Sequence, residues 1–171
     1  MYLLLPVGIG MVMWMYILFF LITGCSLSVG PERSKSAKGD EYKISFQSLG
    51  WSQKKEDRSD YVWINQGDGR IMLSNSFCGE FQDAPLDKLA LKTFNAIDKL
   101  KIKKNEFISF HDRDAFQAEG EGVVDGVRVS LILLNTRRNN CYFDFVSITP
   151  LNSAKERRED FEQLLKSVTF K

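Results

Sequence analysis

The pattern of apolar and polar positions divides the chain into three parts. Residues 1–24, MYLLLPVGIGMVMWMYILFFLITG, are apolar with scarcely a break. A run of this kind can cross a hydrocarbon layer that requires about 20 helical residues, so it reads as a membrane or export segment and not as a core helix. Residues 26–40, SLSVGPERSKSAKGD, are small and polar without apolar periodicity. From residue 41 a period of two sets in: Tyr42, Ile44 and Phe46 alternate with Lys43, Ser45 and Gln47. That alternation predicts a strand with one buried face. Residues 60–65 predict a second strand, Gln66-Gly67-Asp68-Gly69 a tight turn with positive-φ positions, and residues 70–78 the returning strand of a hairpin.

The period then changes. After Pro85, Leu86, Leu89, Ala90, Phe94, Ile97 and Leu100 recur at three- and four-residue spacing, with Lys88, Lys92, Asp98 and Lys99 among them. This predicts an amphipathic helix packed on a sheet. Residues 106–111 and 115–124 predict strands, and Asp125-Gly126 is a strong hairpin signal leading into a strand over 127–134. Residues 135–140 predict a turn, and 141–149 an aromatic-rich strand closed by Pro150. Ser153 with Glu156 has capping-box spacing for a last helix, whose buried stripe is Phe161, Leu164, Leu165 and Val168.

Strands, a helix, more strands and a terminal helix describe an α+β domain: an antiparallel sheet with an amphipathic middle helix and a C-terminal helix packed on it. This order, the Asp125-Gly126 hairpin and the ending FEQLLKSVTF over 161–170 resemble the PsbP/Mog-like fold across 41–171. That fold includes a photosystem II accessory protein and a Ran-binding protein. The resemblance implies a role in contacting other proteins, by analogy of fold alone.

All 23 Lys and Arg and all 22 Asp and Glu fall after Gly24, which sharpens the first boundary. Ile22-Thr23-Gly24-Cys25 resembles the lipobox of bacterial lipoproteins. The resemblance implies a lipoprotein signal peptide over 1–24, lipid attachment at Cys25, and a flexible tether over 25–40 with a reach on the order of 20 Å. Two or three acyl chains there would anchor stably where one would not. The competing reading is a retained transmembrane anchor, since the segment lacks a positively charged start, and Arg33, Lys35 and Lys38 follow it. Ser26 is not the Asp that retains lipoproteins at the inner membrane in enteric-type sorting. The expected location is therefore the outer membrane, facing the periplasm, if the cell has two membranes.

A formal net charge of +1 argues against a nucleic-acid partner. No nucleophile elbow, zinc-protease helix, phosphate-binding loop or calcium loop is present, and a single histidine excludes a multi-histidine metal site. The sequence thus implies no cofactor, no metal and no catalytic set. His111-Asp112-Arg113-Asp114 is the one compact polar cluster that catalysis could use, but strand alternation points Asp112 away from His111, so a strand end entering a charged turn is the favoured reading. Glu119, Glu121 and Asp125 are carboxylates that a hard cation would favour, or simply a solvated strand face. Trp51, Tyr61 and Trp63 are candidates for an exposed aromatic partner surface, against the alternative of half-buried sheet.

Cys78 and Cys141 form an even pair in an exported chain, where disulfides persist. Period-two counting sets Cys78 on the face of Met72, Ser74, Ser76 and Glu80, which is less apolar than that of Ile71, Leu73, Asn75 and Phe77. The expectation is a bridge between them, with two separate packed thiols as the alternative. The functional expectation is a lipid-anchored, non-enzymatic binding or assembly module with an envelope protein as partner. A periplasmic enzyme with a pocket near His111, or a purely structural envelope protein, are the alternatives.

Overall fold

A computed structural model describes residues 42–79, 83–95, 97–153 and 157–171. The segments read as a signal peptide and a tether, with Cys25, and Glu156 of the expected capping box lie outside the described residues. Eleven elements follow in chain order: β1 (Tyr42–Ile44), β2 (Trp51–Lys54), β3 (Tyr61–Asn65), β4 (Ile71–Cys78), α1 (Leu86–Phe94), β5 (Asp98–Phe110), β6 (Arg113–Val124), β7 (Val127–Arg138), β8 (Cys141–Pro150), α2 (Arg157–Lys166) and β9 (Val168–Phe170).

Seven of the strands form one antiparallel sheet in the order β2-β3-β4-β8-β7-β6-β5, and β1 pairs with β9 in a separate two-stranded ribbon. Strands β5 to β8 are a meander whose three connections have two residues each: His111-Asp112, Asp125-Gly126 and Asn139-Asn140. All six of these residues have positive φ, from 49° to 80°. That is the requirement of a type I′ turn, whose twist matches that of the strands it joins. Asn, Asp and Gly meet the requirement at low cost, and His is among the side chains enriched there.

Because β8 lies mid-sheet, both of its faces are buried. Phe143 and Phe145 point to one face with Met72, Ile132, Leu134 and Ala115, under Phe161, Leu164 and Leu165 of α2 and Tyr42 of β1. Val146 points to the other with Leu131, Leu133, Phe116 and Ala118, under Ala90 and Phe94 of α1. The two helices therefore cover opposite faces. Phe143 and Phe145 are essentially inaccessible, and each such side chain contributes about 1.5–3 kcal/mol by leaving water.

Three differences from the sequence expectation have clear causes. The middle helix stops at Phe94, and Ile97 and Leu100 belong to the approach and start of β5, packing against the same cluster as α1. Their helical spacing concealed the alternation of Lys99, Lys101 and Lys103 with Leu100 and Ile102, which is the strand signal. Strand β7 runs on to Arg138, so residues 135–138 belong to a strand and only Asn139-Asn140 turns. Val168 leaves the helical stripe to begin β9, paired with Ile44.

The Ser153 hydroxyl donates to the Asp68 carbonyl at 2.9 Å. Among the described residues no helix is long and apolar enough to cross a membrane.

Candidate functional site

Trp51, Tyr61 and Trp63 do come together, but as part of the core. Trp63 is 2% exposed, and Trp51 and Tyr61 are half-buried against the same cluster. Tyr61 and Trp63 stack at 5.6 Å, and Phe46 sets its ring edge-on to both tryptophans at 5.9 Å. The Arg70 guanidinium lies 5.2 Å from the Trp51 ring and bonds Asp68 at 2.6 Å and Asp160 at 2.5 Å. This cluster ties β2 and β3 to α2, and the expected exposed patch is absent because Phe46 and Arg70 cover the rings.

The polar face assigned to Cys78 is also interior. Ser74 and Ser76 are buried and bonded: Ser74 Oγ lies 2.7 Å from the Tyr42 hydroxyl, and Ser76 Oγ donates to Asp60 at 2.5 Å. Paired serines can sit inside because their hydroxyls are satisfied. Cys78 stands directly opposite Cys141 in the β4–β8 ladder. The neighbouring pair carries the backbone bond from Gly79 N to Asn140 O at 3.0 Å. Cys78 and Cys141 thus occupy a non-hydrogen-bonded position, where Cα atoms approach most closely. Their Cα atoms are 3.9 Å apart and the sulfurs are at bonding distance, 1.99 Å.

His111 is the first positive-φ residue of the β5–β6 turn, so it does not sit on a strand as expected. Its ring meets Phe110 edge-on at 4.6 Å and Phe170 at 5.4 Å. It borders an open cleft of about 440 Å³ with Ser109, Glu162 and Lys166. Asp112, Arg113 and Asp114 are all exposed. The carboxylates at the other end of the sheet have cationic neighbours: Glu119 is bridged by Arg158, and Lys103 lies 3.5 Å from Glu121. Asp125 forms the β6–β7 turn. Among the described residues, no three His, Cys, Asp or Glu side chains gather as a metal site would require.

Two features escaped the sequence reading. The first lies beneath α1, where Asp144 is buried and accepts a bond from Thr93 Oγ1 at 3.0 Å, while Asn135 Nδ2 donates to the Tyr142 hydroxyl at 2.8 Å and to the Leu86 carbonyl at 3.1 Å. Burial pushes the Asp144 carboxyl up to about 6, although bonds from Tyr142 and Thr93 partly offset it. Burial likewise drives the Tyr142 hydroxyl above its ordinary value. These groups hold α1 down on the sheet.

The second is the outer edge of the sheet. Strand β5 ends the strand order, is 13 residues long and is exposed along most of its length. On the α1 side, Phe107 is 65% exposed, Ile102 38% and Leu91 42%. They border a groove of about 240 Å³ floored by Phe94, Phe116 and Ala118. Farther along the strand, Lys99, Lys101 and Lys103 join Arg128 around a cleft of about 720 Å³. Gly120 and Gly122 make this crossing close. A Cβ on Gly120 would lie 2.9 Å from the Lys101 carbonyl, and one on Gly122 would lie 2.4 Å from Ile97 Cγ2.

An antiparallel sheet with one helix on each face, the second at the C-terminus, is an α+β fold of the PsbP-like kind. No family model and no curated protein matches the chain. Among solved structures, LpqN of Mycobacterium tuberculosis, described as involved in cell envelope biogenesis, superposes with a TM-score of 0.57 at 8% identity, over 75% of this chain and 83% of that one. Cyanobacterial PsbP (CyanoP) of Synechocystis superposes with a TM-score of 0.51 at 8% identity, over 77% of this chain and 93% of that one. A Bacteroides thetaiotaomicron protein gives 0.54 at 11% identity over 76% of this chain, but the match takes up only 45% of that protein. At such identities the likeness is one of fold.

Proposed function

We propose that this chain is a lipid-anchored cell-envelope protein whose α+β domain serves as a binding or assembly module without catalysis. The carrying observation is the edge of β5: a long outer strand presents Phe107, Ile102 and Leu91 to solvent beside a groove. Soluble domains seldom leave such an edge uncovered unless something binds there. The anchor rests on Ile22-Thr23-Gly24-Cys25, and the absence of an aspartate at Ser26 favours the outer membrane, facing the periplasm. The neighbour described as acting in envelope biogenesis agrees with an envelope location. The partner is then an envelope protein.

Two measurements test the proposal. Metabolic labelling with a fatty acid is expected to mark the wild-type chain and not Cys25→Ala; equal label on both removes the anchor. Crosslinking of the anchored chain in its own envelope is expected to give discrete adducts, and their absence removes the module.

A further inference from the structure

Within the binding-module reading, on which this rests, the geometry points to the occupant of β5: we infer that it receives an extended, acidic and apolar segment of a partner protein, added as an eighth strand. Phe110 and Arg113 flank a two-residue turn and are paired, so they form a hydrogen-bonded pair, and such pairs alternate along the ladder. Register is unbroken from Lys104 to Phe110, the irregularities lying between Asp98 and Lys104. The N–H and C=O groups of Asn105, Phe107 and Ser109 therefore point away from β6, toward the outer edge. No strand among the described residues pairs with them.

Side chains define what is added. Asn105 and Phe107 project onto the α1 side, where Ile102 and Leu91 complete the apolar groove. An incoming strand that pairs with their backbone places alternate side chains over this groove, and apolar ones fit there. Toward the start of β5 the surface becomes basic. Lys104 is paired with Glu106 at 2.5 Å and Lys103 with Glu121 at 3.5 Å. Lys99, Lys101 and Arg128 have no carboxylate within ion-pair distance among the described residues. Charge complementarity thus calls for acidic residues at that end of the segment.

Other occupants fit less well. A second copy pairing β5 antiparallel with β5 about the strand middle would set the two Lys104 side chains opposite each other and lay Lys99 and Lys101 along Ser109 and Phe107 of the other copy, which offer them no acidic partner. An anionic bilayer would match the lysines, but burying Phe107 in it would desolvate the edge amides without pairing them. The opposite edge, β2, has only four residues.

The test uses the full chain reconstituted in neutral phosphatidylcholine vesicles, titrated with blocked ten-residue peptides. A peptide alternating Val and Glu is expected to bind saturably, and its Val/Lys counterpart to bind at least tenfold more weakly. Phe107→Ser is expected to weaken binding at least tenfold, and Lys99→Glu combined with Lys101→Glu to reverse the charge preference. These side chains are exposed, so the variants keep the fold. N-methylation of the Val amides and of the Glu amides blocks opposite edges of the peptide, and one version is expected to bind while the other fails. No saturable binding, indifference to Phe107→Ser, or equal binding of both methylated peptides overturns the inference. So does protection of Lys101 and Lys103 from trypsin on phosphatidylglycerol vesicles without peptide binding, which assigns the surface to a membrane. Envelope crosslinks without peptide binding overturn this inference alone and leave the module standing.

Discussion

Replacing Asp144 by Asn is expected to stabilise the protein near neutral pH, although it removes a charged group from a hydrogen-bonded network. The carboxyl is 4% exposed, takes bonds from Thr93 and Tyr142, and has one oxygen, Oδ1, without a hydrogen-bond partner among the described residues. Its pKa rises from 3.8 to about 6, with burial as the main cause. An acid whose pKa is higher in the folded state favours folding when protonated. Its contribution is fully present below pH 3.8, declines as pH rises toward 6, and above that is a constant penalty. The rise corresponds to about 3 kcal/mol.

Asn has nearly the shape of the protonated acid and no charge, so Asp144→Asn should recover about 1–3 kcal/mol at pH 7.5, the lower figure allowing for an imperfectly paired amide. At pH 3.5 the two proteins should differ little. Urea unfolding followed by tryptophan fluorescence, with Trp63 buried as reporter, reads the difference as a midpoint shift of roughly 1 M. Comparing both proteins at each pH cancels the titration of every other carboxylate. Equal destabilisation of the variant at both pH values would refute the reasoning, because it would show that folding does not shift the titration of this carboxyl.

Three further outcomes are expected. Cys78→Ala with Cys141→Ala should lower stability by about 4 kcal/mol, the chain entropy of a loop closed across a sequence separation of 63; non-reducing mass spectrometry of the parent, with both thiols resistant to alkylation, checks the bond itself. Gly122→Ala should cost about 1–3 kcal/mol, since its Cβ meets Ile97 Cγ2 and the Asp98 carbonyl, at 2.4 and 3.0 Å; hydrogen exchange should show the loss of protection centred on the start of β5. His111→Ala should lower stability by about 1 kcal/mol while His111→Asn is milder, because the left-handed turn penalises Ala more than Asn. A catalytic histidine would instead lose activity equally in both variants.

The Asp125-Gly126 hairpin was the most legible part of the fold, because the pair carries its turn geometry in its own chemistry, whereas the turn expected over 135–140 narrows to Asn139-Asn140. The α+β class and the stripe of α2 followed from periodicity. Residues 86–100 misled for a physical reason: Ile97 and Leu100 pack on the same cluster as Phe94, so helix and strand place apolar groups at overlapping positions. Strands β2 and β9 were too short to leave a pattern; Trp51–Lys54 and Val168–Phe170 exist through their pairing with Trp63 and Tyr42 neighbours and not through propensity. Burial of Ser74 and Ser76 depended on Tyr42 and Asp60, which are 32 and 16 residues away. No local count of polarity could anticipate it.

The proposed surface was hidden for a different reason. Whether Phe107 is core or contact depends on strand order, and β5 becomes an edge only because β4 crosses over to pair with β8 on the far side of the meander. The alternating lysines of β5 suit such an edge, since charged side chains discourage casual pairing with other strands. Edge protection alone does not explain the arrangement, however. The regular stretch from Lys104 to Phe110 retains an exposed Phe107, whereas three of the four lysines lie upstream, where register is already broken. Gly120 and Gly122 admit the close crossing that brings Lys99, Lys101 and Lys103 around one cleft with Arg128. An edge built only to repel would place its charge where pairing is easiest. This one concentrates charge beside the pairing stretch and leaves the stretch itself open, which is the arrangement the proposed selective edge requires.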